Sequence, residues 1–184
     1  MDYVTKPISR EKLRSISKWF RALNGTKNKL RFDSVKAFER FPLFFPNVTT
    51  EIVSDDDSTE FSLDSPATCI PNMNGEYKIL VREKTYDMAC RGVGGPRSHL
   101  VHEMSHALLC MLGYTPSFER SYKNNEIRPC YCSMEWQAKA LTGEIMVPYE
   151  ETKGMSLRRI KHYCKVSKDC AERRLRLDEE KQFR

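Results

Sequence analysis

The sequence lacks any hydrophobic run long enough to cross a membrane. The longest apolar run near its central motif covers only residues 107–113, whereas a transmembrane helix needs about 20 apolar residues. The first residues contain no basic stretch that leads into an apolar core, so the pattern does not indicate a secretory signal. These absences predict a cytoplasmic protein with no membrane partner.

The sequence also lacks the paired cysteines of a disulfide framework or of a structural zinc site. Its seven cysteines are odd in number and scattered, a pattern typical of a reducing compartment. Cys130 and Cys132 form one close pair, but no second close pair accompanies them. Cys164 and Cys170 are spaced too widely to share a helix face well. We therefore interpret the cysteines as small buried hydrophobes.

The net charge of +6 is concentrated at the C-terminal end. Residues 153–184 contain 11 Lys and Arg against 5 Asp and Glu, whereas 20 of each kind cancel in residues 1–152. Such a surplus either forms a solvated helix face or attracts nucleic acid or an acidic partner. We expect residues 1–152 to form one domain, with 153–184 as a basic helical segment packed on it.

The pattern of apolar and turn-forming residues predicts an α+β fold with a small twisted sheet. Helices are expected at 10–23, 33–41, 98–112 and 134–146, with two more within 156–177 that break near Val166-Ser167. Short strands are expected around 51–53 and 60–63, and a hairpin is expected to join 67–70 to 77–82 through Asn74-Gly75. The glycine-rich segment 91–96 is predicted to be a loop.

The most informative motif is His102-Glu103-Met104-Ser105-His106. Residues four apart lie on the same helix face, so both imidazoles can bind one zinc ion. The adjacent Glu103 carboxylate can take a proton from a zinc-bound water that attacks a carbonyl. Because the helix is otherwise apolar, and unpaired buried polar groups are costly, these polar residues indicate a functional site. The motif predicts a metallopeptidase with Glu103 as the catalytic base and one Zn²⁺ per chain.

A catalytic zinc site needs a third protein ligand and one open position. The downstream candidates are Glu119, Glu126, Cys130, Cys132, Glu135 and Glu144. Glu135 is placed best, because it lies near the start of the next apolar helix, which can pack across the first. Glu144 lies two and a half helical turns after Glu135, so the two side chains cannot point the same way.

Three stretches of the chain resemble the ImmA/IrrE family of metallopeptidases, named after a phage-immunity anti-repressor and a radiation-response regulator. The first is Arg97-Ser98-His99-Leu100-Val101 followed by the metal-binding motif and Ala107-Leu108-Leu109. The second runs from Glu135-Trp136-Gln137-Ala138 to Met146-Val147-Pro148. The third, weaker stretch contains Val166-Ser167, Ala171 and Arg174-Leu175. With the N-terminal helix and the hairpin, the resemblance covers most of residues 8–178.

The resemblance implies a zincin-like zinc endopeptidase whose third ligand is Glu135 and whose C-terminal helices pack on the catalytic domain. It also implies a protein substrate, a helix-turn-helix transcriptional repressor of a bacterial mobile element or stress regulon. One departure is Lys139, where the family usually has Asn or a similar acceptor. A lysine cannot accept a hydrogen bond from a ligand histidine. Either another acceptor replaces it, or metal affinity or activity is weakened.

Three further residues are candidates for contacts with substrate or with the oxyanion. His99 precedes His102 by three positions and can point into the same cleft, although it can equally serve as a helix cap. Tyr114 and Tyr131 are candidate oxyanion donors, and nothing in the sequence selects one. The edge strand of the predicted sheet can bind an extended peptide by β-augmentation.

The basic C-terminal segment supports an alternative from another class. Residues 157–177, with the break at Val166-Ser167, superficially resemble a helix-turn-helix. The alternative is a DNA-associated regulatory module with weakened or no peptidase activity. Weak nucleic-acid contact through this segment is also compatible with the peptidase.

Overall fold

The computed structural model describes residues 3–57, 62, 64–72, 74–116 and 129–182, and it confirms the α+β fold. Within these residues the helices are α1 (Arg10–Leu23), α2 (Ser34–Phe44), α3 (Glu83–Cys90), α4 (Gly94–Met111), α5 (Met134–Met146), α6 (Leu157–Cys164) and α7 (Lys168–Gln182). The strands are β1 (Val48–Val53), β2 (Ala67–Pro71) and β3 (Tyr77–Arg82), and a short 3₁₀ helix covers Cys130–Cys132. None of the described helices has the length and apolar composition needed to cross a membrane.

The three strands form one sheet in the order β1-β3-β2. β1 runs parallel to β3, and β2 pairs antiparallel with β3 through the predicted hairpin. Gly75 supplies the positive φ that the turn requires, and the Asn72 N–H donates to the Glu76 carbonyl at 2.8 Å. β2 is therefore an edge strand, and it packs beside α4.

Helix α4 is the centre of the fold. It packs against α2, α3 and α5 and against strands β2 and β3. Its apolar side chains are almost completely buried: Leu100, Val101, Met104, Ala107, Leu108 and Leu109. Burial on several sides explains why this helix lacks a continuous polar face.

Side-chain caps mark the helix starts that the sequence predicts correctly. Ser9 accepts a hydrogen bond from the Lys12 N–H at 3.2 Å, and Ser133 accepts one from the Trp136 N–H at 2.9 Å. The C-terminal segment forms two helices, as predicted, and Ser167 accepts a hydrogen bond from the Cys170 N–H. α6 ends at Cys164, and the next residue, Lys165, has a φ of 55°, in the left-handed region.

The predicted loop at 91–96 is wrong in its second half, because α4 begins at Gly94 rather than at 98. His99 does not cap the helix either, because Val93 precedes α4 and His99 lies inside it. The Ser98 hydroxyl, also inside the helix, donates to the Gly94 carbonyl at 3.0 Å. Pro96 is tolerated because it occupies the third helical position, where a backbone N–H has no acceptor within the helix.

Three other elements differ from prediction. α2 continues through Pro42 to Phe44, because the proline removes a single donor in the last turn while Phe38 and Phe41 stay buried. α3 was not predicted, since Arg82 precedes it without a side-chain cap. β1 begins three residues earlier than expected. The strand predicted at 60–63 lies outside the described residues except for Ser62.

Gly94 marks a close approach between α4 and the α6–α7 break. A β-carbon at this position would lie 2.6 Å from the Ser167 nitrogen and 2.7 Å from the Val166 carbonyl carbon. We predict that Gly94→Ala lowers the free energy of unfolding by about 1–3 kcal/mol, because backbone must shift to make room. Urea denaturation measures this change.

Gly143 in α5 is the matched control. A β-carbon there meets no atom within 4 Å, so Gly143→Ala should raise stability by about 0.5–1 kcal/mol. Equal stability of the two variants would contradict the close approach at Gly94.

Candidate metal centre

Three side chains from α4 and α5 converge on one point. His102 Nε2 and His106 Nε2 lie 3.2 Å apart. Glu135 places Oε1 3.1 Å from His106 Nε2 and Oε2 3.5 Å from His102 Nε2. This His-His-Glu group could hold a metal ion, and the described residues contain no second such group.

The distances between these atoms fit tetrahedral coordination. Ligand bonds of about 2.0–2.1 Å place neighbouring donor atoms of a tetrahedron about 3.3 Å apart. The imidazole nitrogens are 3.2 Å apart, and each lies 3.1 or 3.5 Å from a different oxygen of the Glu135 carboxylate, which are distances near this value. The imidazole planes are nearly perpendicular, at 82°. Three donors directed at one point leave a fourth position for water or substrate.

The two histidines are held by the packing of their helix. His102 and His106 are separated by one helical turn of α4 and are partly exposed, whereas the residues between them are buried. Ser105 on α4 lies 3.2 Å from Thr142 on α5, measured between the hydroxyl oxygens, and both residues are buried. This contact fixes the approach of α5, which carries the third side chain of the group.

The start of α5 is held by the N-terminal segment of the chain. The Thr5 N–H donates to the Cys132 carbonyl at 2.8 Å, and the Met134 N–H donates to the Tyr3 carbonyl at 2.9 Å. The buried Gln137 amide donates to the Lys6 and Tyr131 carbonyls, each at 2.8 Å. These bonds orient the first turn of α5, where Glu135 lies.

The Glu135 carboxylate lies beside two imidazoles, those of His102 and His106, and beside the ammonium group of Lys139. Hydrogen bonds with His102 and His106 hold the pKa of Glu135 far below its usual range. Lys139, one turn later on α5, places Nζ 3.5 Å from Glu135 Oε2. Lys139 therefore puts a cation directly beside the carboxylate of the His-His-Glu group.

Glu103 is not part of the three-residue group but lies close to it. Its side chain is buried, and burial raises its pKa, while His102 and His106 act in the opposite direction. The backbone N–H of Cys69 in β2 also donates a hydrogen bond to this carboxylate. Glu103 therefore lies between the histidines and the edge of the sheet.

A cavity of about 710 Å³ adjoins this centre. Its walls come from α4, α5, α7, the start of α1 and the residues that lead into β2. His99, His102 and Glu103 line it from α4, and Pro66 and Ala67 line it from the sheet side. A cavity of this size holds several residues of an extended peptide or a small molecule.

The other predicted residues have different positions. His99 lines the cavity, where burial and the nearby His102 lower its pKa. Tyr114 stacks with Lys6, and Tyr131 is exposed; neither lines the cavity. Cys130 and Cys132 do not join the metal-ligand group.

The remaining third-ligand candidates do not approach the histidines either, as far as the structure describes them. Glu144 is buried and pairs with Arg14 at 3.3 Å. Glu119 and Glu126 lie outside the described residues. Sequence reasoning missed the contact of Cys69 with Glu103, because a backbone donor leaves no trace in residue type.

No protein-family model, curated protein or solved structure matches this chain. The resemblance to the ImmA/IrrE family is thus a hypothesis carried by the motifs, and the geometry of the site carries the functional argument.

We predict that the metal-free protein binds one divalent transition metal ion per chain. His102→Ala, His106→Ala and Glu135→Ala should each abolish stoichiometric binding, since each removes one of three protein ligands. Titration calorimetry with Co²⁺ or Zn²⁺ measures the stoichiometry. Cys130→Ala is the control and should bind normally; full binding by Glu135→Ala together with loss in Cys130→Ala would show that the third ligand is wrong.

We also predict that Lys139→Asn tightens metal binding several-fold. The ammonium competes with the metal ion for the Glu135 carboxylate, and the substitution removes this competition. Lys168→Asn is a matched control, because Lys168 forms an equivalent pair with Glu172 at 3.5 Å on α7. An unchanged metal affinity in Lys139→Asn would show that the ammonium does not compete.

Proposed function

We propose that this protein is a zinc-dependent endopeptidase of the ImmA/IrrE type. The observation that carries the proposal is the metal-ligand group of His102, His106 and Glu135 at the margin of a cavity that Glu103 also lines. A ligand group left with an open position beside a carboxylate is the arrangement that metal-assisted hydrolysis requires.

Zinc is the metal that this donor set favours. Two imidazole nitrogens and one carboxylate oxygen at tetrahedral spacing form one of the common catalytic zinc sites. Magnesium and calcium prefer sites made entirely of oxygen ligands. The absence of cysteine from the group is typical of a catalytic rather than a structural zinc site.

His102, His106 and Glu135 would hold the zinc ion, which would supply Lewis-acid activation of a water molecule and of the substrate carbonyl. Glu103 would accept a proton from the attacking water and deliver it to the leaving amine. Because Glu103 is the residue next to His102, its carboxylate can reach the water without occupying a ligand position. The Cys69 N–H holds that carboxylate in place.

The substrate is proposed to be a protein segment in extended conformation. β2 is an edge strand, and the residues at its start line the cavity. An extended peptide can pair with such an edge before cleavage, so only an exposed flexible segment meets the requirement. On the resemblance, the substrate is a helix-turn-helix repressor of a mobile element or stress regulon.

Glu103→Gln tests the catalytic base. The variant should keep the fold and the metal, because Glu103 is not a ligand, yet lose about 10²- to 10⁴-fold in cleavage rate. Glu76→Gln, at an exposed glutamate in the hairpin turn, is the matched control. Metal content and cleavage rate are measured on the same samples; near-normal cleavage by Glu103→Gln would exclude it as the base.

The substrate class is tested with a candidate helix-turn-helix repressor. The zinc-loaded protein should cut the repressor at few sites, because only an exposed extended segment can pair with the edge of β2 and the folded domains cannot. Casein is the control for general proteolysis. Mass spectrometry of the products identifies the bonds cut. Rapid digestion of casein at many sites, with the repressor untouched, would contradict a site-specific endopeptidase.

A DNA-associated role is the second candidate, favoured by the exposed cations of α6. Arg158, Arg159 and Lys161 are exposed, and none of them lines the cavity. Binding to random duplex DNA with a steep salt dependence, lost on substitution of these residues, would support this candidate.

A further inference from the structure

Five of the eight Lys, Arg, Asp and Glu side chains that line the cavity beside the metal centre are basic. These five come from three separate helices: Arg10 on α1, Lys139 on α5, and Arg173, Arg174 and Arg176 on α7. The carboxylates in the same lining are Glu103, Glu144 and Asp169. Part of the basic surplus of the C-terminal segment therefore faces the cavity.

Two of these carboxylates are already paired with arginines. Asp169 lies 2.8 Å from Arg173, and Glu144 lies 3.3 Å from Arg14, which is outside the lining. The third, Glu103, is next to the metal-binding histidines. Among the described residues, no carboxylate of the lining forms an ion pair with Arg10, Lys139 or Arg176; Lys139 pairs with Glu135, which is outside the lining.

Arg174 has a structural role. Its guanidinium stacks on the Tyr149 ring at 4.0 Å and pairs with Asp178 at 2.9 Å. It also donates to the Tyr149 carbonyl and the Thr152 hydroxyl. Because all of these contacts are internal, Arg174 is not available to a ligand.

Three cations remain. Arg10 stacks on the Trp136 ring at 5.1 Å, and Arg176 is exposed; neither forms an ion pair with the side chains that the structure describes. The Lys139 side chain is 58% exposed, and its carboxylate neighbour is Glu135, which is directed at the histidines. Three helices thus present positive charge to one cavity.

We propose that this cavity selects peptide segments with acidic side chains near the bond to be cut. Arg10, Lys139 and Arg176 would each face a substrate Asp or Glu. The position of the acidic side chains relative to a cleaved bond rests on the proposed peptidase function. The preference for acidic peptides depends only on the charge of the cavity. Complementary charge favours the correct partner and accelerates encounter.

The same cavity is less suited to nucleic acid. A phosphate chain carries a charge at every nucleotide and would bring some of them close to Glu103, Glu144 or Asp169. Base stacking would need exposed aromatic faces, but Trp136, the aromatic side chain in the lining, is covered by Arg10. A peptide can space its acidic side chains to meet the cations and avoid the carboxylates.

The test uses the full-length protein in its metal-free form, which excludes both cleavage and chelation of peptide carboxylates. Three labelled peptides of equal length carry Glu, Gln or Lys at the same alternate positions, and binding is measured by fluorescence anisotropy. The Glu peptide should bind about tenfold more tightly than the Gln peptide, the combined effect of three exposed ion pairs. The Lys peptide should bind most weakly.

Variants locate the effect. Arg10→Gln and Arg176→Gln should each weaken binding of the Glu peptide about twofold and leave the Gln peptide unchanged. Arg159→Gln, in the exposed part of α6 outside the cavity, is the matched control and should have no effect. Equal binding of the Glu and Gln peptides, or an equal loss in Arg159→Gln, would overturn the proposal. Tighter binding of a single-stranded oligonucleotide of the same net charge would also overturn it.

Cleavage by the zinc-loaded protein separates this inference from the proposed function. A higher kcat/KM for the Glu peptide than for the Gln peptide supports both. Acid-selective binding without cleavage of any peptide supports the inference and contradicts the peptidase. Cleavage of both peptides at equal kcat/KM overturns the inference and leaves the peptidase intact.

Discussion

The buried guanidinium of Arg97 connects α4 with the segment between α1 and α2 and with the break between α6 and α7. Arg97 lies in α4, is only 1% exposed, and donates hydrogen bonds to the carbonyls of Phe32, Cys164 and Lys165. It thereby fixes the helix of the metal-ligand group to the N-terminal helices and to the break between α6 and α7. A buried charge is tolerated when its donors are satisfied in this way, and removing its partners would be costly. The position of the cavity wall formed by α7 depends on this link.

The chemistry of the site follows from placing polar groups on a helix that is otherwise part of the core. Glu103 is only 8% exposed, and burial raises its pKa, which means that the fold disfavours its charged form. If position 103 served only to stabilise the fold, a neutral side chain or a fully paired carboxylate would be expected there. His102, His106 and Glu135 converge beside Glu103. A cation bound by these three side chains would favour the ionised form of Glu103 and so offset the effect of burial.

Helix periodicity and caps predicted much of the fold, and the i, i+4 spacing predicted the pairing of His102 with His106. Of six candidates for the third metal ligand, the sequence favoured Glu135, because it lies near the start of the next apolar helix. The packing of α5 on α4, with Ser105 against Thr142, brings Glu135 to the histidines. The start of α4 and the whole of α3 escaped prediction because neither begins with a capping side chain. The cationic lining could not be predicted, since Arg10, Lys139 and Arg176 meet only through tertiary packing.

We propose that the His-His-Glu group holds zinc. An anomalous difference map from crystals of the zinc-loaded protein, recorded on both sides of the zinc absorption edge, locates the metal. We expect one strong peak within bonding distance of His102 Nε2, His106 Nε2 and a Glu135 oxygen, with Glu103 outside the coordination shell. A peak at Cys130 and Cys132, or no ordered peak between the histidines, would contradict it.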